Sequence, residues 1–179
     1  MGCGTFRERG SSEIMNHVIS SHLVERARRL FGGTECKLQV AALPWRTGSL
    51  GVEIMLVTSR DTGRWVLPKG NIKKSEEPWQ GAEREAEEEA GIRGVVSRRN
   101  AGHYLYAKVQ WIGKAVPCDV VVYPLEVIEE AEKWPEMGDR TRRWMAFEDA
   151  VAVVEEPDLA QLIQTFGAEA ETYRTHAAE

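Results

Sequence analysis

Hydrophobic and polar positions follow two rhythms along this chain. Between residues 12 and 31, Ile14, Val18, Val24, Ala27, Leu30 and Phe31 make a ragged apolar stripe at helical spacing. Arg26, Arg28 and Arg29 suit the negative end of such a helix, and Gly32-Gly33 stops it. From residue 36 the pattern shortens into runs rich in Val, Ile, Leu and Trp. Residues 36–43, 52–58 and 65–67 predict strands, parted by the turn formers Thr47-Gly48-Ser49 and Asp61-Thr62-Gly63. A helix is expected over Pro78–Ala90, with Pro78 in its first turn and Gly91 as its stop. Further strands are expected at 94–97, 104–110, 119–125 and 143–147, with residues 126–136 as an exposed acidic loop before the last. Helices at 148–154 and 157–166 close the chain, and the residues after Gly167 read as a polar tail. Interspersed strands and helices predict an α/β fold, a mixed sheet with helices on both faces. The expected divisions are a partly helical N-terminal extension (1–34), a central domain (35–155) and a C-terminal helix with its tail (156–179).

Composition narrows the function classes. Among 179 residues, 42% are hydrophobic and 28% charged, enough apolar material for a core and too much for a wholly disordered chain. A formal charge of −5 argues against non-specific binding to nucleic acid or anionic membranes. No apolar run approaches the roughly 20 residues of a spanning helix. The first residues lack the apolar stretch of a signal peptide, and Phe6 stands where a myristoylation signal needs Ser or Thr. Cys3, Cys36 and Cys118 are odd in number and widely spaced, so reduced thiols in a cytoplasmic protein are expected.

The mid-chain helix carries the chemistry. On a helical wheel Trp79, Ala82, Ala86 and Ala90 share one narrow stripe, and the small alanines allow close approach to a sheet. Glu85, Glu88 and Glu89 fall beside that stripe at i, i+3 and i+4, while Glu87 points elsewhere. Residues 76–89 hold glutamates at 76, 77, 83, 85, 87, 88 and 89 against the single cation Arg84. An exposed acidic face would cost only about 0.2–0.5 kcal/mol per like-charge pair, so energetics alone does not exclude that bland reading. Clustered hard oxygen donors nevertheless suit Mg²⁺ or Mn²⁺, ions that bind through carboxylates together with substrate phosphate oxygens.

The same segment resembles the Nudix box, Gly-x5-Glu-x7-Arg-Glu-apolar-x-Glu-Glu-x-Gly-apolar. Gly70, Glu76, Arg84, Glu85, Ala86, Glu88, Glu89, Gly91 and Ile92 occupy its specified positions. The resemblance implies a Nudix-type α/β/α sandwich that hydrolyses a diphosphate linkage. It implies that Glu85, Glu88 and Glu89, helped by the Gly70 carbonyl, hold the metal, with Arg84 also catalytic. It further implies that Glu76 pairs with Arg84 and that Glu76 and Gly91 serve the motif's structure. The flanks are similar to the diphosphoinositol polyphosphate phosphohydrolase-like branch. They include Ala41-Ala42-Leu43-Pro44-Trp45-Arg46, Leu56-Val57-Thr58-Ser59-Arg60, Arg64-Trp65-Val66-Leu67-Pro68-Lys69-Gly70, Trp134-Pro135-Glu136 and Arg140-Thr141-Arg142-Arg143-Trp144. Lys69 and Asn71 bracket Gly70 where several relatives carry a glycine-rich run, and residues 1–34 lie outside the resemblance.

A diphosphate repels a water nucleophile until cations screen it. Arg46, Arg60, Arg64, Lys69, Arg140 and Arg142 are the candidate phosphate contacts, Arg by bidentate geometry and Lys as a point charge. One of the box carboxylates, or an acid outside the box, accepts the water's proton. Glu126, Glu129, Glu130 and Glu136 are the outside candidates. His17 and His22 have no partner at metal spacing, His103 reads as a strand-edge residue, and Trp111, Trp134 and Trp144 as packing. The leading expectation is a Mg²⁺-dependent hydrolase of a small phosphorylated substrate, of the diphosphoinositol polyphosphate or dinucleoside polyphosphate class. An RNA 5′-end pyrophosphohydrolase and a non-catalytic metabolite sensor are the alternatives.

Overall fold

The computed structural model describes residues 36–49, 51–109 and 115–174; the expected N-terminal helix with His17 and His22, and Trp111, lie outside them. The described chain begins in β1, Lys37–Gly48, and β2, Gly51–Thr58, followed by two-residue strands β3, Trp65–Val66, and β4, Lys69–Gly70. Helix α1, Pro78–Ala90, leads to β5, Ile92–Val96, β6, Gly102–Val109, and β7, Ala115–Glu130. Strand β8, Arg142–Ala146, and helices α2, Phe147–Val153, and α3, Pro157–Arg174, complete it.

Strand β1 is the axis of the sheet. On one side it runs parallel to β7, from Lys37 opposite Cys118 to Trp45 opposite Glu126. On the other it forks, taking β4 at Val40 and Ala41 and β2 from Trp45 onward. Pro44 occupies the gap between those partners. The Ala42 N–H donates to Pro68 O on that side at 3.0 Å, so the alternating N–H direction aims position 44 there too. A proline without an N–H is tolerated in this central strand because no ladder bond is required at that point. The fork is where the sheet opens for the site.

The two faces of the sheet are both covered. Leu43, Trp45, Val120 and Val122 face α2 and α3, where Trp45 meets Phe166 edge to face at 5.7 Å between ring centroids. On the opposite face Val40, Met55, Val57 and Leu125 pack against Ala82, Ala86 and Ala90 of α1, all fully buried. The alanine stripe thus seats the helix against the strands, as its spacing predicts. Among the described residues no helix is long and apolar enough to cross a membrane.

Two elements run longer than their sequence signals. Gly167 is no helix stop, because α3 continues to Arg174 and buries Ala170 and Tyr173. A Cβ at Gly167 would meet the Phe147 ring at 2.4–2.7 Å, so glycine lets α2 press on α3. The acidic residues 126–130 are the last part of β7, not loop, and pair with β5 across a register shift between Arg93 and Gly94.

Helix α1 is fixed at both ends. The Glu77 N–H donates to Gln80 Oε1 at 2.9 Å, and Gly91 takes the left-handed conformation (φ 62°) at the C-terminus. A Cβ on Gly91 would also strike Trp134 at 2.7–2.9 Å. Gly63 has a similar φ of 70° but open space around it. Gly91→Ala should therefore lose about 2–4 kcal/mol, against about 1 for Gly63→Ala, in urea denaturation with unchanged m values.

Candidate active site

The loop before α1 and the first half of the helix are held by one guanidinium. Arg84 donates through Nε to Glu76 Oε1 at 2.7 Å and through Nη2 to Glu76 Oε2 at 3.1 Å. The same Nη2 donates to Asn71 O at 3.0 Å, and Nη1 reaches Glu85 Oε1 at 2.6 Å and Glu88 Oε2 at 3.2 Å. Hydrogen bonds from Arg84 hold the Glu76 carboxyl down at about 2, and the same contacts raise Arg84 further above its ordinary range.

Above this clamp lies a polar cavity of about 250 Å³, with Lys69, Gly70, Glu85, Glu89, Glu136 and Arg140 on its wall. Glu85 and Glu89, one turn apart on α1, are 8% and 6% exposed. Gly70 lies so close that a Cβ there would sit 2.1 Å from Glu85 Oε1. The Lys69 N–H donates to Glu89 Oε2 at 3.0 Å, and Arg140 pairs with Glu89 Oε1. Burial lifts the Glu89 carboxyl to about 7, outweighing Arg140 and the Lys69 N–H, which pull it down. Burial likewise lowers the Lys69 ammonium to about 8, with Glu89 opposing it.

The sequence-expected residues divide by location. Arg60 and Arg140 line the cavity and both bind Glu136, at 3.3 Å and 2.6 Å. Glu88 is off the cavity wall, its side chain 41% exposed beside Arg84 and 3.6 Å from Lys73 Nζ. Glu87 turns away to pair with Arg93. Arg64 lies in an adjoining depression, bound to Glu155 and Glu156.

Arg46 and Arg142 are not on the cavity wall. Arg46 binds Glu53 at 2.6 Å and Glu130 at 3.2 Å, with its guanidinium 4.1 Å from the Trp144 ring centre. Arg142 donates to the Ala90, Gly91 and Ala131 carbonyls and stacks on Trp134, completing the α1 C-terminus. Of the four candidate acids outside the box, Glu126, Glu129, Glu130 and Glu136, only Glu136 lines the cavity, where Asp61 also lies, while Glu130 receives the Trp144 Nε1–H at 2.7 Å. His103 pairs with Asp119 at 3.2 Å.

The sequence reading missed Tyr106, whose ring lies 5.0 Å from both Lys69 Nζ and the Arg64 guanidinium. Its only early signal is its parity with Tyr104 in β6. Gln39, which donates to Asn71 Oδ1 at 3.2 Å, was also missed, because its polar side chain sits inside an otherwise apolar run.

Among the described residues no three carboxylate, thiol or imidazole side chains form a ready-made cage, since Arg84 and Arg140 occupy oxygens of Glu85, Glu88 and Glu89. The donor set still fits a hard divalent cation. Two buried carboxylates share the cavity wall with Gly70, and Gln39 Oε1, on the same wall, is buried without a hydrogen-bond partner.

A model of the NUDIX domain matches residues 38–166. The chain belongs to the Nudix family. Nudix hydrolase 16, mitochondrial, of Arabidopsis thaliana is 32% identical over 59% of this chain and 60% of its own length. Human diphosphoinositol polyphosphate phosphohydrolase 3-alpha is 30% identical over 66% of this chain and 70% of its own. Across these curated relatives the matches span 51% to 70% of their lengths. The fold is shared with a C. elegans Ap4A hydrolase binary complex, with a TM-score of 0.57 and 21% identity over 76% of this chain and 99% of that one. The NUDIX domain of Shewanella oneidensis NrtR with ADP ribose gives 0.56 and 18% over 86% and 97%. This Nudix chain thus keeps the box residues on the helix and loop that the family model covers.

The ion pair at the base of the site has a pH signature. Because Glu76 sits at about 2 in the fold against an ordinary 4.5, its ionised form stabilises the protein above pH 4.5. That contribution falls away as pH drops from 4.5 towards 2. Thermal midpoints of Glu76→Gln and the parent protein should differ most above pH 5 and converge near pH 2.

Proposed function

We propose that this chain is a divalent-metal-dependent hydrolase that cleaves a diphosphate linkage in a small phosphorylated molecule. The observation that carries this reading is the pair of buried carboxylates on one polar cavity, Glu85 against the Gly70 backbone and Glu89 against the Lys69 N–H. Burying two carboxylates costs desolvation that Arg84 and Arg140 offset in part, and their place on the wall of a polar cavity suits a further cation. Glu85, Glu89 and the Gly70 carbonyl would hold the ion, with Glu88 beside them on the open side. Mg²⁺ suits these hard oxygens, with Mn²⁺ a substitute. When bound, the metal supplies charge neutralisation for the phosphoryl oxygens and an activated water.

The chain's own residues do the rest. Arg60, Lys69 and Arg140 present positive charge to the diphosphate from the cavity wall, and Arg140, already bound to Glu89 and Glu136, is fixed by a third bond to Thr58 O at 2.9 Å. Glu136 is the candidate outside the box whose carboxylate reaches the same wall, and this reading gives it the water's proton. Arg84 acts one step back, holding Glu85 and Glu88 in register with Glu76. The presence of Arg84, Glu85, Glu88 and Glu89 together supports hydrolysis over a binding-only role. The relatives named for diphosphoinositol polyphosphates and Ap4A support the two substrate classes read from the sequence.

Chromatographic separation of the products from ADP, diadenosine tetraphosphate and a diphosphoinositol polyphosphate, with Mg²⁺ or with EDTA, tests the reading. Activity should vanish in EDTA and return with Mg²⁺. Glu85→Gln and Glu89→Gln should each lower kcat by about two to four orders of magnitude, because metal charge is lost at constant shape. Glu87→Gln, paired with Arg93 on another face, should change it less than about twofold. Equal losses at Glu87 and Glu89 would show a bulk-charge effect and overturn the site. Glu136→Gln should lower kcat far more than it raises KM, and the reverse pattern would make Glu136 a binding residue only.

A further inference from the structure

Residues 131–141 join β7 to β8 and belong to neither helix nor strand, yet they carry Glu136 and Arg140 to the cavity wall. Little of the segment can hold it in place. Glu132, Lys133, Pro135, Met137, Gly138 and Asp139 are exposed, and Trp134 is its one large apolar side chain outside that exposed set. The indole rests on the end of α1. It lies so close to Gly91 that a Cβ there would meet it at 2.7–2.9 Å, and the Arg142 guanidinium stands 4.2 Å from the ring centre. Backbone bonds to α1 flank it on both sides. The Ala131 N–H donates to Gly91 O at 2.8 Å, and the Glu136 N–H to Glu88 O at 3.2 Å. Arg142 joins the same elements, donating to Ala90 O at 2.6 Å and to Ala131 O at 2.9 Å. Trp134 Nε1 is buried without a hydrogen-bond partner, so the ring acts by its shape and its π face.

Glu136 follows two residues later, and its carboxylate meets Arg140 at 2.6 Å and Arg60 at 3.3 Å. Arg140 has anchors of its own in Glu89 and in Thr58 O. Glu136 reaches α1 directly through the backbone bond beside the indole. A group that takes a proton from water must be placed closely, since a misplacement of about 1 Å costs on the order of 10²-fold in rate. We propose that Trp134 is a positioning residue. Wedged against Gly91 and Arg142, it fixes segment 131–141 to the last turn of α1 and so holds Glu136 on the cavity with Glu85 and Glu89. This rests on the hydrolase reading and deepens it, because it gives a tryptophan off the cavity wall a share in turnover.

A double-mutant cycle in the full chain, with Mg²⁺ and the best-cleaved of the three compounds above, tests this. Trp134→Ala should lower kcat by about ten- to a hundredfold and move KM less than about threefold, because Arg140 keeps its other anchors. Trp134→Phe, which keeps an aromatic face, should recover kcat to within about threefold of the parent. In a Glu136→Gln background, adding Trp134→Ala should cost less than about twofold more. A fully additive loss, or a Glu136→Gln variant as active as the parent, overturns the positioning role. Hydrogen exchange gives a readout apart from activity. The Glu136 N–H should exchange about tenfold or more faster in Trp134→Ala, while the Ala42 N–H, bound to Pro68 O in the sheet, keeps its rate. Equal acceleration of both amides would show a loss of overall stability and sink the proposal. Should Trp134→Ala not fold, Trp134→Leu takes its place in the same cycle with the same outcomes. If the parent cleaves none of the compounds, the hydrolase reading fails by itself, and the exchange rates alone decide whether Trp134 fixes the segment.

Discussion

The site depends on one close approach, the backbone of Gly70 lying against the carboxylate of Glu85. Any side chain at position 70 would occupy the space of that carboxylate. The approach needs β4 to be held to β1, and α1 to sit low on the sheet. The first comes from the pairing of Gly70 with Val40 and Lys69 with Ala41. The second comes from Ala82, Ala86 and Ala90, whose small, fully buried side chains let the helix lie close to the strands. The fork in β1 makes room for both. Sheet, helix and loop therefore meet at a point where no bulk is available, and the chemistry follows from that crowding.

Charge is arranged around this point in closed sets. Arg84 ties Glu76, Glu85 and Glu88 together, and Arg140 ties Glu89 to Glu136. Arg64 is enclosed by Glu155 and Glu156. An acidic helix is tolerated because arginines from the helix itself and from the segment before β8 balance it. Removing one partner of such a set leaves the other buried and uncompensated, so these residues are coupled more tightly than exposed ion pairs.

Helix α1 was legible because several local signals agree: a proline at its start, a glycine at its stop, and an alanine stripe beside a glutamate stripe. The divergence of Glu88 from Glu85 and Glu89 was not, since a helical wheel gives an angle and says nothing of where the sheet ends. The fates of the arginines were equally hidden. Arg46, Arg64 and Arg142 look alike in sequence, yet one lies on Trp144, one on Tyr106 and one on the carbonyls that end α1. A guanidinium finds its partner only after distant segments meet. The acidic end of β7 misled for a related reason, because glutamates at a sheet edge mimic the composition of a loop. Gly167 misled because glycine marks close packing as well as helix ends.

The parallel ladder between β1 and β7 also governs how the chain reaches this state. Lys37–Gly48 is synthesised before its neighbour on one side, Ala115–Glu130, which emerges only after α1 and five other strands. Until then β1 has an open flank of unpaired backbone groups and an apolar surface without its second layer. Contacts of such long sequence separation form slowly, after a large loss of chain entropy. During synthesis the β1–β2 pair therefore keeps an open edge until β7 docks, and its face towards α2 and α3 is covered only when those helices follow.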